Sequence, residues 1–134
     1  MLNTRLGDAS ANGACNAIAA RANGGTLNIY AGSQPANGNT AISSQVLLVS
    51  IVLSTPAFSP AVGGVASLNS TSPATAVATG TASFFRIATL LGDQVWDGTI
   101  GTSGCDVNFP STSITVGQPV GVTGFMLAIA EAGN

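Results

Sequence analysis

Apolar and polar residues alternate in short runs along most of the chain, while one N-terminal stretch repeats at helical spacing instead. In residues 6–22, Ala14, Ala17, Ile18 and Ala22 recur with the period of an amphipathic helix. Asp8 or Ser10 is placed to cap its start, and Asn23-Gly24-Gly25 ends it with residues that accept left-handed backbone. Its stripe is thin, with Leu6 and Ile18 as the larger members, and Gly13 interrupts the pattern. From Thr26 the period becomes two. Thr26 to Tyr30 sets Leu27 and Ile29 on one face. Gln45 to Leu53 is a nearly continuous apolar run, as expected of a strand buried on both faces. Short strands are expected at 65–68 and 75–78. Thr81 to Leu91 sets Phe85 and Ile87 on one side and Phe84, Arg86 and Ala88 on the other. Gly92-Asp93 then turns the chain into Gln94 to Ile100, which reads as a hairpin. Further strands are expected at 106–109, 113–116 and 120–130, with Phe125, Leu127 and Ile129 on one face of the last. Phe85, Ile87, Phe125, Leu127 and Ile129 are the expected core. Short strands spaced roughly 8–12 residues apart mark an all-β sandwich or barrel. The expected fold is mainly β: an antiparallel β-sandwich, jelly-roll or Ig-like, of about eight strands with one N-terminal helix. It forms a single domain over 1–134, with a helical segment at 1–24 and the sandwich at 25–134.

Composition sharpens this picture. Only 6% of the 134 residues are charged, against about 25% in ordinary domains. The three cations are all Arg, and the net charge is -2, so no electrostatic footprint for nucleic acid exists. The chain has no His, which excludes His-based catalysis and His-ligated metal. Mean hydropathy is positive, +0.46, yet the strongest apolar run, Val46 to Leu53, is far shorter than the ~20 residues of a spanning helix. Residues 1–5 lack the apolar stretch of a signal peptide. A chain made in the cytoplasm, with no membrane partner, is expected. A surface this short of charge must be built from Ser, Thr, Asn, Gly and Ala, or be covered by other copies or partners. That second option is the first pointer to an assembly subunit.

The order of several segments adds a resemblance. Gly25-Thr26-Leu27-Asn28-Ile29-Tyr30-Ala31-Gly32-Ser33-Gln34-Pro35 follows a helix rich in Asn and Ala, and precedes Leu47-Leu48 and Pro56-Ala57-Phe58. Ala78-Thr79-Gly80-Thr81-Ala82-Ser83-Phe84-Phe85-Arg86 comes next. Then come Asp97-Gly98-Thr99-Ile100-Gly101-Thr102-Ser103-Gly104, Asp106-Val107-Asn108 and Ser113-Ile114. In this order the segments resemble the patterns ATGTAxxFR, DGTxGTSGxDxN and TSI of small virion structural proteins of tailed bacteriophages. The resemblance runs from about Leu6 to Ile129. It departs at Cys15 and Cys105, where an apolar residue and Ala are expected. The resemblance implies a virion role but not a position in the virion; a non-enzymatic capsid decoration or cement subunit, or a neck or collar subunit, is the expected placement. The partners would be other copies and other virion proteins, with synthesis in the host bacterial cytoplasm. A tail-tube or tail-tip component is the alternative placement. A carbohydrate-binding host-adhesion module is the alternative function.

Individual residues carry competing readings. Cys15 and Cys105 are too few for a zinc site without His, and no cofactor is expected. They are two buried thiols, an intrachain disulfide, or a disulfide between copies. Arg86, in the middle of an apolar strand, either pairs with Asp97 across the hairpin or reaches a neighbouring subunit. Trp96 is either core or an interface anchor. Cys15, Ile18, Arg86, Trp96 and Cys105 are therefore the interface candidates. Asp93, Asp97 and Asp106 would suit a cation only if they converge, and Asp93 is already the expected turn residue. Asn69-Ser70-Thr71 matches the glycosylation sequon by chance in a bacterial setting. Glu131 is the single Glu, and no Ser has a base beside it in sequence, so no catalytic residue is assigned.

Overall fold

The computed structural model describes residues 6–122 and 125–128, without the side chains of Leu127 and Ala128. The expectations for Ile129, Glu131 and the Leu127 side chain lie outside the described residues. Those described are mainly β with one helix. In chain order they form α1 (Asp8–Arg21), β1 (Thr26–Ala31), β2 (Val46–Val52), β3 (Val65–Ser67), β4 (Ala74–Thr75) and β5 (Gly80–Thr81). These are followed by β6 (Phe84–Ala88), β7 (Gln94–Gly101), β8 (Val107–Asn108), β9 (Ser113–Ile114), β10 (Pro119–Val120) and β11 (Met126–Ala128). One five-stranded sheet has the order β2-β1-β6-β7-β8. The pairs β10–β4, β11–β3 and β5–β9 are small two-stranded sheets.

The register of the large sheet defines its two faces, because directly paired residues point the same way. On one face Ile51, Leu27, Ile87 and Trp96 line up across four strands, with Val49, Ile29, Phe85 and Gly98 in the next row. Leu27, Ile29, Val49, Ile51, Phe85 and Ile87 are all buried. Phe125 packs edge-on against Phe85 with ring centres 5.1 Å apart, and Phe58 meets Phe125 at 5.9 Å and Trp96 at 5.7 Å. The expected core members Phe85, Ile87 and Phe125 all belong to the one buried core cluster. Gly98 is required here: a Cβ at this position would run into the edge of the Phe85 ring.

Several local expectations are corrected. The helix has Gly7 at its N-cap and no side-chain cap bond, so neither Asp8 nor Ser10 caps it. Its buried face is Ala11, Cys15 and Ala19, followed by Ala22. Ala14 and Ala17 are exposed and Ile18 is half-buried. The helix lies against β3 and β11, and asparagines fix it there. The N–H groups of Ala57, Ala61 and Gly64 donate to Oδ1 of Asn23, Asn16 and Asn12 at 2.8, 2.9 and 2.8 Å. The helix therefore clasps the strand-like segment 57–64, which runs antiparallel to it.

β2 is not buried on both faces. Val46, Ser50 and Val52 are exposed, and a bulge between the Ile29–Val49 and Tyr30–Leu47 pairs lets Leu48 and Val49 be buried in succession. The expected strand 81–91 is broken at Ala82-Ser83: Ala82 N–H turns to Thr112 O, and the Ser83 hydroxyl donates to Gly32 O. The expected strand 120–130 likewise divides into β10 and β11. The sheet is not wholly antiparallel, since β8 pairs parallel to β7 over Ile100–Val107 and Gly101–Asn108. The β6–β7 hairpin forms as expected, though through a longer turn, with Thr89 N–H donating to Asp93 O.

Candidate functional site

The second face of the large sheet carries a polar row. Ser50, Asn28, Arg86 and Asp97 occupy paired positions on β2, β1, β6 and β7. Ser50 and Arg86 are the single polar residues of the otherwise apolar β2 and β6. The Ser50 hydroxyl donates to Asn28 Oδ1 at 2.6 Å. Arg86 grips Asp97 with two bonds, Nε to Oδ1 at 2.7 Å and Nη2 to Oδ2 at 2.9 Å. The two side chains are 9% and 6% exposed. What covers them is the connection 32–45, whose Thr40 carbonyl accepts a further bond from Arg86 Nη2 at 2.8 Å. Gln45 closes the base of this strap by donating to Ser33 O and accepting from Ser43 N–H. The hydrogen bond to Asp97 raises the Arg86 pKa above its ordinary value, outweighing burial. Beside the pair, Tyr30 stacks on Phe84 with ring centres 5.1 Å apart. Burial raises the Tyr30 phenol, against the opposing pull of the Arg86 guanidinium.

Between the strap and β7 lies an open cleft of about 350 Å³, lined by Gln34, Asn37, Gly38, Gln94, Trp96 and Asp97 among others. Amide side chains and a carboxylate lie around it, groups that a sugar site uses, while the Trp96 ring belongs to the opposite face of the sheet. Their hydrogen-bonding capacity is largely used internally. Asp97 is held by Arg86. With its amide turned to suit its neighbours, Gln94 donates to Gly38 O and accepts from Trp96 N–H. The Trp96 ring is occupied by Phe58 and Phe125, and its buried Nε1 has no partner among the described residues.

The five interface candidates do not converge on one patch. Cys15 is fully buried beneath the helix, which leaves its thiol inaccessible to another copy. Cys105 is half-buried in the 102–106 loop, close against Gly101, and the two sulfurs are not bonded to each other. Arg86 takes the hairpin-pairing reading and Trp96 mainly the core reading. Asp106 turns to Thr99, accepting from its N–H and hydroxyl at 2.8 and 3.1 Å. Among the described residues no three His, Cys, Asp or Glu gather as a cation site would need.

Exposed large apolar residues occur on strands, as at Val46, Val52 and Met126, and also at turn tips. Val62 (78% exposed), Leu91 (89%) and Val116 (58%) each immediately precede a glycine of positive φ: Gly63 at 61°, Gly92 at 92° and Gly117 at 89°. Leu90 is exposed beside Leu91. Backbone bonds close all three turns: Val62 with Val65, Gly92 N–H to Thr89 O, and Gln118 N–H to Thr115 O. Turn chemistry favours Asn, Asp, Ser or Pro next to such glycines. The sequence signal was the apolar-Gly step in each turn; strand assignment absorbed Leu91 and Val116 into strand ends and left Val62 unassigned.

No protein-family model, curated protein or solved structure matches this chain.

Proposed function

We propose that this protein is a non-enzymatic structural subunit of a tailed-phage virion, a capsid decoration or cement protein or a neck or collar component. The observation that carries the reading is the set of exposed apolar turn tips on a chain with almost no charge. Isolated exposed apolar residues are ordinary; three turns that each present one where polar residues are favoured are not. The mechanism is burial of these tips between copies and on the underlying shell. Burying one such side chain contributes about 1.5–3 kcal/mol, and repetition over many copies converts modest contacts into firm attachment. In this reading the large sheet is one layer of a β-sandwich of jelly-roll or Ig-like kind, with β3 and β11 in the facing layer. The resemblance of the ordered Gly/Thr-rich segments to phage virion proteins supports the virion role. The test is co-sedimentation of purified protein with particles of the phage that encodes it. Saturable pelleting is expected, and protein that stays in the supernatant at all ratios refutes the placement.

Host adhesion through carbohydrate is the second reading, favoured by the gathering of Gln34, Asn37, Gln94 and Asp97 around one cleft. Specific sugar binding on a glycan array, lost in Asn37→Ala, would place it first.

A further inference from the structure

The chain contains three Asn–Gly steps: Asn12–Gly13, Asn23–Gly24 and Asn37–Gly38. At such a step the backbone nitrogen of glycine can attack the asparagine side-chain amide carbon, because no Cβ shields it. The attack passes through a tetrahedral oxyanion at Oδ1 and expels ammonia to close a succinimide. Water then opens the ring at either carbonyl, giving aspartate or isoaspartate. The net change is amide plus water to carboxylic acid plus ammonia, with no change of oxidation state.

The fold treats the three steps differently. Asn12 is held by Gly64 N–H at 2.8 Å, and Gly13 lies within α1, whose ladder engages its N–H. Asn23 is held by Ala57 N–H, and the nucleophile itself is engaged, since Gly24 N–H donates to Ser54 O at 3.2 Å. Asn37 is exposed in the strap, and the Gly38 N–H makes no hydrogen bond among the described residues. Asn37 Oδ1 instead accepts from Asn39 N–H at 2.9 Å and from the Thr40 hydroxyl at 3.2 Å. Both donors sit on the atom where negative charge develops in the tetrahedral intermediate, the arrangement that stabilises an oxyanion.

We propose that Asn37–Gly38 is a self-modification site, at which the strap converts its own asparagine to aspartate and isoaspartate while the other two steps are protected by the fold. Conversion places a carboxylate in the cleft that Asp97 also lines. Isoaspartate adds a carbon to the backbone between Asn37 and Thr40, whose carbonyl holds Arg86. The strap then loosens irreversibly with the age of the molecule.

The test is peptide mapping by mass spectrometry, with isoaspartate detection, on full-length protein incubated in mildly alkaline buffer. A sample unfolded in denaturant shows the unprotected rate of each step. In the folded protein Asn37 is expected to convert at least about tenfold faster than Asn12 or Asn23, since those two first require local opening. Gly38→Ala and Asn37→Gln should suppress conversion at this step alone, and Thr40→Val should slow it several-fold by removing one donor. In converted protein the Thr40 N–H, bonded to Asn37 O at 3.1 Å, should lose protection from hydrogen exchange. Equal rates at the three steps in the folded protein, or slower conversion of Asn37 there than in denaturant, would overturn the site. Unchanged Thr40 protection after conversion would overturn the loosening.

Discussion

Arg86 and Asp97 form a nearly buried ion pair whose hydrogen bonds are satisfied by each other and by Thr40. The energetic consequence is asymmetric. Removing one partner strands a charge in a desolvated place and typically costs about 3–5 kcal/mol, whereas replacing both with apolar residues is often neutral or better. Arg86→Met and Asp97→Leu should each lower the urea midpoint strongly, and the double variant should recover much of the loss. A double variant as unstable as the sum of the singles would mean that the pair is not coupled. Tyr30 gives a separate readout because it is the only tyrosine in the chain. Its folded pKa is raised above the unfolded value by burial. The neutral phenol is therefore favoured by folding, and this contribution is complete below the unfolded pKa of about 10 and lost as pH rises through the folded value. An ultraviolet phenolate titration should show a midpoint above that of the unfolded chain, and Tyr30→Phe should remove the corresponding part of the alkaline destabilisation. Gly98→Ala should cost about 1–3 kcal/mol by overpacking, because the new methyl meets the Phe85 ring rather than a flexible chain.

At the scale of elements, α1 is held by asparagine amides as much as by its small buried stripe. Asn16→Ala leaves the Ala61 N–H without its acceptor and should cost about 1–3 kcal/mol, measured by denaturant unfolding. Ala17→Ser on the exposed side should change stability by less than about 0.5 kcal/mol. This helix shows where the sequence was legible and where it was not. Its existence and approximate ends follow from local spacing and the glycines after it. Its buried face does not, because Ala offers little contrast around the helix, and Asn suits a docked face only if the partner presents free N–H groups. Those partners lie 34, 45 and 52 residues away. The Arg86–Asp97 pair was legible because a short hairpin brings it together. The strap over that pair was not, nor was the division of the long strands at Ala82-Ser83, since both depend on distant carbonyls. The Leu48 bulge similarly hid inside a run that reads as uniformly buried. The five interface candidates were chosen by chemistry alone, and the fold scatters them. The apolar turn tips became visible only once the turns were fixed.

At the scale of the whole molecule, the internal pair withdraws one of three Lys or Arg residues and one of five acidic residues from a surface already short of charge. That surface presents Val62, Leu90, Leu91 and Val116 on closed turns. Burial of these residues against other chains is the central claim, and light scattering of the full chain at micromolar concentration tests it most directly. The wild type is expected to show a weight-average mass above that of one chain. Leu90→Ser with Leu91→Ser, at an exposed turn where the fold loses little, should raise the dissociation constant by at least about tenfold. A single-chain mass for the wild type at every concentration, with no pelleting alongside phage particles, would contradict the assembly reading altogether.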